Sequence, residues 1–234
     1  MSVSWADEVV VVDSGSNDRT CELATEFGAK VFLESWKGFS AQKNFAIQKA
    51  TGDWILSLDA DEEVSPELAS SIREAIHRPD ALDGYWMPRR NLFLGRWIKH
   101  GGFYPDAKLR LWKRGAGHFD HRAVHETAKV TGATATLDGD LVHHAYPTLE
   151  SYLEHMNRYS SLGSERVGKL APNSIPLYEF LMNVWLRPRL TFIYNYLIRG
   201  GFLDGREGLL LHLYHAVYVS WKYAKQWELS RKVG

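Results

Sequence analysis

The 234-residue sequence predicts an α/β domain that gives way to a helical C-terminal region. Strand-like and helix-like segments alternate between Glu8 and His77, the pattern of a sheet built with right-handed crossovers. Two of those strands end in aspartate, Asp13 and Asp59, and in open α/β sheets ligands bind beyond the carboxyl ends of the strands. From Thr148 onward the pattern is helical.

Taken in order, "EVVVV" (Glu8 to Val12) is apolar and β-branched, as expected of a strand covered on both faces, and it ends at Asp13. A Gly/Ser turn follows, with Asn17 or Asp18 as helix cap and Gly28 as the C-terminal stop. "KVFLE" reads as a strand, "FSAQKNFAIQKATGD" as a helix and "WILSLD" as a strand ending at Asp59. Ser65 and Pro66 mark the N-cap and first residue of a helix running to about His77. From Gly84, "GYWMPRRNLFLGRW", "KLRLWKR" and "TATLDGDLVHHAY" read as strands and long loops without helices between them.

Formal net charge is zero, so no global field draws the chain to nucleic acid or to acidic substrates. A single cysteine, Cys21, rules out an intrachain disulfide and fits a reducing compartment. The "MSVSWADEVVVVD" start has neither the basic flank nor the cleavage pattern of a signal peptide. No apolar run approaches the roughly 18 residues of a transmembrane helix.

The segment "WILSLDADEEV" sets three carboxylates, Asp59, Asp61 and Glu62, at the end of an apolar strand. In an extended segment Asp59 and Asp61 point the same way, and two hard oxygen donors suit Mg²⁺ or Mn²⁺ completed by water and phosphate oxygens. The plain alternative is a solvated loop whose acids favour the N-terminus of the next helix. A buried strand leading into the motif favours the metal.

These residues carry a resemblance. "WADEVVVVDSGSNDRT", "GFSAQKNFAIQKATGDWILSLDADEEVSPEL", "RNLFLGRWIKHGGFYPDAKLRLWKR", "AVHE" and "RGGFLDGREGLLLHLYHAVYVSWKYAKQWE", in that order, resemble a family 2 glycosyltransferase of the bacterial type that adds a sugar to the lipopolysaccharide inner core. The resemblance implies a GT-A, Rossmann-like nucleotide-sugar-binding domain over residues 1–147 and a helical, membrane-associated region over 148–234. It implies inverting transfer from a nucleotide-sugar, UDP-linked, to a lipopolysaccharide-core or other lipid-linked glycan. Asp13 would contact the nucleoside, Asp59 the ribose or metal, Asp61 the metal bridging the diphosphate, and Lys43 would lie near the nucleotide. Glu126, in "VHE", would be the general base, and His143 would complete the metal shell. The placement implied is cytoplasmic, on the inner face of the membrane, with self-association a further expectation and no nucleic acid partner. Members of the family begin with one more strand than this chain, where only "MSVS" precedes "WADE", so a first strand is expected to be missing.

The chemistry is consistent with that reading, since inverting transfer needs a base for the acceptor hydroxyl and positive charge on the departing diphosphate. Each residue has a plainer alternative. Glu126 can be a surface acid paired with Arg122 or Lys129, Lys43 an exposed helix lysine, and His143 and His144 ordinary strand residues. Arg110 and Arg114 either grip acceptor phosphates or face solvent from a half-buried strand. A non-catalytic relative that binds a glycan or an assembly partner at the membrane is the rival function. A zinc hydrolase built from His118, His121, His125 and Glu126 ranks lower, because the spacing lacks the i, i+4 helical pair of H-E-x-x-H. In the tail, His212, His215, Lys222 and Gln226 fall on one stripe of an otherwise apolar helix, which must pack on something or lie in a membrane interface.

Overall fold

A computed structural model describes residues 2–120, 127–167 and 175–232. In chain order it runs β1 (Val10–Asp13), α1 (Thr20–Glu26), β2 (Lys30–Leu33), α2 (Phe39–Lys49), β3 (Trp54–Leu56), β4 (Glu62–Val64), α3 (Pro66–His77) and β5 (Gly84–Met87). Then come β6 (Arg89–Phe93), β7 (Arg96–Trp97), β8 (Lys108–Lys113), β9 (Gly117–Phe119), β10 (Ala128–Val130), β11 (Thr134–Thr136) and β12 (Leu141–Tyr146). The helices α4 (Leu149–Val167), α5 (Leu177–Leu181), α6 (Arg187–Phe192) and α7 (Gly205–Lys232) complete it. This is the mixed α/β architecture with a helical C-terminal region that the sequence predicts.

The chain forms two compact units, Met1–Arg89 with Ala107–Val142, and Arg90–Asp106 with His143–Gly234. In the first, β1 and β2 pair in parallel, Val10 opposite Lys30 through Asp13 opposite Leu33. A separate four-stranded ladder has the order β11-β5-β8-β3, with β8 antiparallel to both neighbours. The expected alternation is therefore present, but among the described residues β1 and β3 are not rungs of one ladder. The three valines of β1 are half-buried rather than sealed on both faces.

Local chemistry explains most boundaries. The Ser65 hydroxyl accepts the Leu68 amide (3.2 Å) and Pro66 opens α3, as the sequence predicts. One face of α3 buries Leu68, Ala69, Ile72 and Ala75 against Val64, Met87, Leu111 and Leu141. The first helix starts later than its expected cap: Asp18 Oδ1 accepts the Thr20 amide (3.0 Å), closing a turn ahead of the helix. Gly28 stops it at φ +82°. A second core joins Ile55, Leu109, Trp112, Phe119 and Ala128. Gly117 makes it possible, because a Cβ there would sit 2.7 Å from the Trp112 ring.

In the second unit, β6 and β7 form a hairpin, and the Leu94 amide donates to the Tyr146 carbonyl (2.9 Å), tying the turn to the end of β12. Phe93, Ile98, Tyr152 and Leu211 form its core. The Thr148 hydroxyl accepts the Ser151 amide (3.1 Å), fixing the start of α4. Between α5 and α6 a π-helical turn, Met182–Leu186, precedes Pro188. Proline has no N–H for the Val184 carbonyl, and the Ser220 hydroxyl of α7 takes it instead (2.9 Å). The polar stripe of α7 faces inward: His212 and Gln226 are buried, and Lys225 donates to the Asn157 carbonyl (2.8 Å) and the Ser160 hydroxyl (2.7 Å) of α4.

Candidate active site

The acidic turn after β3 is held from several directions. The β3–β8 pairing continues one step, with the Ser57 amide donating to the Arg110 carbonyl (2.8 Å), and this register brings Arg110 beside the turn. Arg110 Nη2 donates to an Asp59 carboxylate oxygen and to Glu62 Oε1, the latter at 2.6 Å. Lys43 Nζ, from α2, lies 2.6 Å from Asp59 Oδ1. Arg89 Nη1 reaches Glu62 Oε1 at 3.1 Å, and Glu62 Oε2 accepts the Asp59 amide at 3.1 Å.

The acids of the motif thus differ in kind. The Glu62 side chain is 0% exposed and is matched by two arginines. Asp59 is 30% exposed and is matched by Lys43 and Arg110. Burial alone would raise the Asp59 pKa; the charges of Arg110 and Lys43 outweigh it and hold the carboxyl down at about 2. Asp61 stands exposed to solvent.

Asp13, at the end of β1, is buried, and its carboxylate accepts the amides of Gly15 (2.9 Å) and Ser16 (2.7 Å). Those bonds, the Ser16 amide foremost, lower its pKa to about 2. Gly15 adopts φ +105°, which the tight loop requires. Asn44, which follows Lys43 in "AQKN", pins α2 to β9, since its amide group donates to the Phe119 carbonyl and accepts the Phe119 amide, both at 2.9 Å.

His143 belongs to the second unit. Its Nδ1 lies 2.7 Å from Asn91 Oδ1, while Asn91 Nδ2 donates to the Phe103 carbonyl and to Asp106 Oδ2, both at 3.3 Å. An amide oriented in this way requires the imidazole to donate from Nδ1, so in the neutral ring Nε2 carries the lone pair. Glu126, His121 and His125 lie outside the described residues. The flanks of that segment are joined, since the Asp120 amide donates to the Thr127 carbonyl (3.2 Å). His118 is exposed on β9, and Lys129, the alternative partner of Glu126, sits 3.0 Å from Asp120 Oδ2.

Among the predicted residues, then, Lys43 and Asp59 meet directly, and Asp13 is engaged by its own loop. Arg110 corrects the sequence reading: it is buried and matched to two acids, neither solvent-facing nor turned outward to grip a phosphate. Arg114 is exposed, 3.8 Å from Asp53. Sequence reasoning does not anticipate Glu62 and Arg89 as partners of the site. A signal for Glu62 exists in the period of two, because it shares its face of β4 with buried Val64.

Among the described residues no three His, Cys, Asp or Glu side chains cluster as a ready-made metal cage. The donor type on the first unit fits Mg²⁺ or Mn²⁺ nonetheless: an exposed carboxylate on a fixed turn. Two or fewer protein ligands suffice when water and phosphate complete the shell.

Residues 5–130 match the family "Glycosyl transferase family 2". A glycosyltransferase of Rickettsia felis is 32% identical over 216 residues, covering 85% of this chain and 75% of that protein. The "Lipopolysaccharide core biosynthesis glycosyltransferase LpsC" of Rhizobium meliloti is 26% identical over 231 residues, covering 96% of this chain and 84% of that protein. Among solved structures, a mannosyltransferase of Pyrobaculum calidifontis in complex with GDP-Man and Mn²⁺ is 17% identical, with a TM-score of 0.49 over 94% of this chain and 77% of that one. The matched segment holds Asp13, Lys43, Asp59, Asp61 and Arg110, and with the relatives that share most of its length it makes this chain a member of glycosyl transferase family 2.

Proposed function

We propose that the chain is an inverting glycosyltransferase that moves a sugar from a nucleotide-sugar, UDP-linked, to a lipopolysaccharide-core or other lipid-linked glycan. The observation that carries the reading is the Lys43–Asp59–Arg110 arrangement on the acidic turn of a family 2 domain. Asp59 holds Lys43 in place beside the turn, where its ammonium can serve the nucleotide's phosphates. Asp61 is the carboxylate that would hold Mg²⁺ or Mn²⁺, with His143 as a second ligand. When bound, the ion supplies Lewis-acid stabilisation to the departing diphosphate. Asp13 orders the loop that receives the nucleoside. Glu126 takes the proton from the acceptor hydroxyl as that oxygen attacks the anomeric carbon, which inverts the centre.

The lipopolysaccharide-core relative supports the acceptor class, and with a lipid-linked acceptor the enzyme would work on the inner face of the cytoplasmic membrane. No described helix is long and apolar enough to cross a membrane, so the attachment proposed is to the surface. The decisive variant is Glu126→Gln, which keeps size and removes basicity. Donor binding should persist while transfer falls by about 10²–10⁴-fold. Transfer near the wild-type rate would return Glu126 to the role of a surface acid.

A further inference from the structure

Twelve of the eighteen large apolar side chains that stand exposed among the described residues lie between Leu177 and Leu203. They are not scattered. Tyr178, Leu181, Trp185, Ile193 and Leu197 are 70%, 50%, 55%, 45% and 52% exposed, and with Arg189 between Trp185 and Ile193 they recur at helical spacing along one face. Isolated exposed apolar residues are ordinary, but a contiguous row marks a surface that something else covers. Between Leu177 and Leu203 the chain carries Arg187, Arg189 and Arg199 against a single acid, Glu179 at its start. The Arg189 guanidinium lies 3.9 Å from the centroid of the Trp185 ring, beside the apolar row.

We propose that this face, residues 177–203, docks on an anionic lipid surface. It deepens the membrane-surface part of the function proposed above and does not rest on the transfer chemistry. The apolar row would sink to the boundary between headgroups and acyl chains, with Trp185, Tyr178 and Tyr194 at headgroup level and Arg189 against lipid phosphates. Self-association through the same face is disfavoured by its charge: a two-fold contact would set the arginines of one copy against those of the other, with Glu179 as the one acid in the segment. The element differs from the one the sequence singles out. The α7 helix buries its polar stripe within its own unit, and the exposed apolar surface belongs mainly to the helical stretch before it.

The test is sedimentation of the full chain with vesicles of phosphatidylcholine alone and of phosphatidylcholine containing phosphatidylglycerol. Wild type should bind the anionic vesicles more tightly. The double substitution Ile193→Glu with Leu197→Glu should weaken that binding on the order of tenfold or more. Arg189→Gln should lower it roughly fivefold on anionic vesicles and leave binding to phosphatidylcholine unchanged. Both positions are exposed, so circular dichroism and UDP binding should match wild type. Absence of wild-type binding to anionic vesicles, or equal binding by the double variant, overturns the proposal. So does a wild-type dimer in sedimentation velocity that the double variant dissociates, which would name a second copy as the occupant. A wild type that binds UDP but not the anionic vesicles sinks this face alone; a wild type that binds the vesicles but not UDP sinks the donor chemistry alone.

Discussion

Around Arg110, in the first unit, Glu62, Arg89 and Arg110 are drawn out of water and matched to one another, whereas along residues 177–203, in the second, large apolar side chains stand in it. Both arrangements are costly by themselves. A buried charge is tolerated when its partners lie within hydrogen-bond distance, and here they do, so the cluster finds its explanation inside the fold. An exposed apolar row finds none among its own neighbours and points to something outside the chain. The contrast separates residues that hold a site in place from residues that meet a partner. It also divides the acidic motif itself: Glu62 braces, Asp59 aligns Lys43, and Asp61 faces outward.

The comparison breaks most readily at Arg110. Arg110→Met leaves Glu62 buried with half its compensation, and losing one partner of a buried pair costs about 3–5 kcal/mol. Urea denaturation should therefore show a large loss of stability, and adding Glu62→Leu should restore part of it by removing the stranded carboxylate, though Arg89 then loses that partner. A single variant as stable as wild type would mean that water reaches the cluster and that the two regions do not differ as described.

A smaller effect is expected at the edge of the same unit. Glu8 is held by Lys30 (2.6 Å) and by the Thr51 amide (2.8 Å), and these bonds, the Lys30 hydrogen bond foremost, lower its pKa from 4.5 to about 2. A depressed carboxylate pKa contributes stability that is complete above the unfolded value and lost as pH falls through the folded one. The melting temperature of Glu8→Gln should thus lie below wild type at neutral pH. The gap should close between about pH 4.5 and pH 2. A gap that is constant with pH would assign the loss to packing.

Much of this is legible in the sequence where local chemistry decides. The Ser65–Pro66 cap, the stop at Gly28 and the strand ending at Asp13 depend on residues a few positions apart, and each is found as read. The meeting of Lys43 with Asp59 is legible only as a resemblance. Arg110 is not legible, and the reason is topological. "KLRLWK" alternates like a half-buried strand, but β8 lies between β5 and β3 and both of its faces are covered, so the arginine on the second face is buried beside Asp59 and Glu62. Strand order, which single segments do not encode, decides it. The tail departs from its sequence reading for a similar reason: composition marks α7 as needing cover, and only packing reveals that α4 and the inner side of the helical stretch before α7 supply it, while the outer face of residues 177–203 stays exposed.

Calorimetric titration of UDP with and without Mn²⁺, on wild type and on Asp61→Ala, tests most directly whether the exposed acid of the motif serves the donor. Asp61 is exposed and contributes little to the core, so the variant should fold and melt like wild type. Wild type should bind UDP more tightly with Mn²⁺ than without it, and Asp61→Ala should lose that difference. UDP affinity that is independent of Mn²⁺ in wild type, or unchanged by Asp61→Ala, would contradict the account.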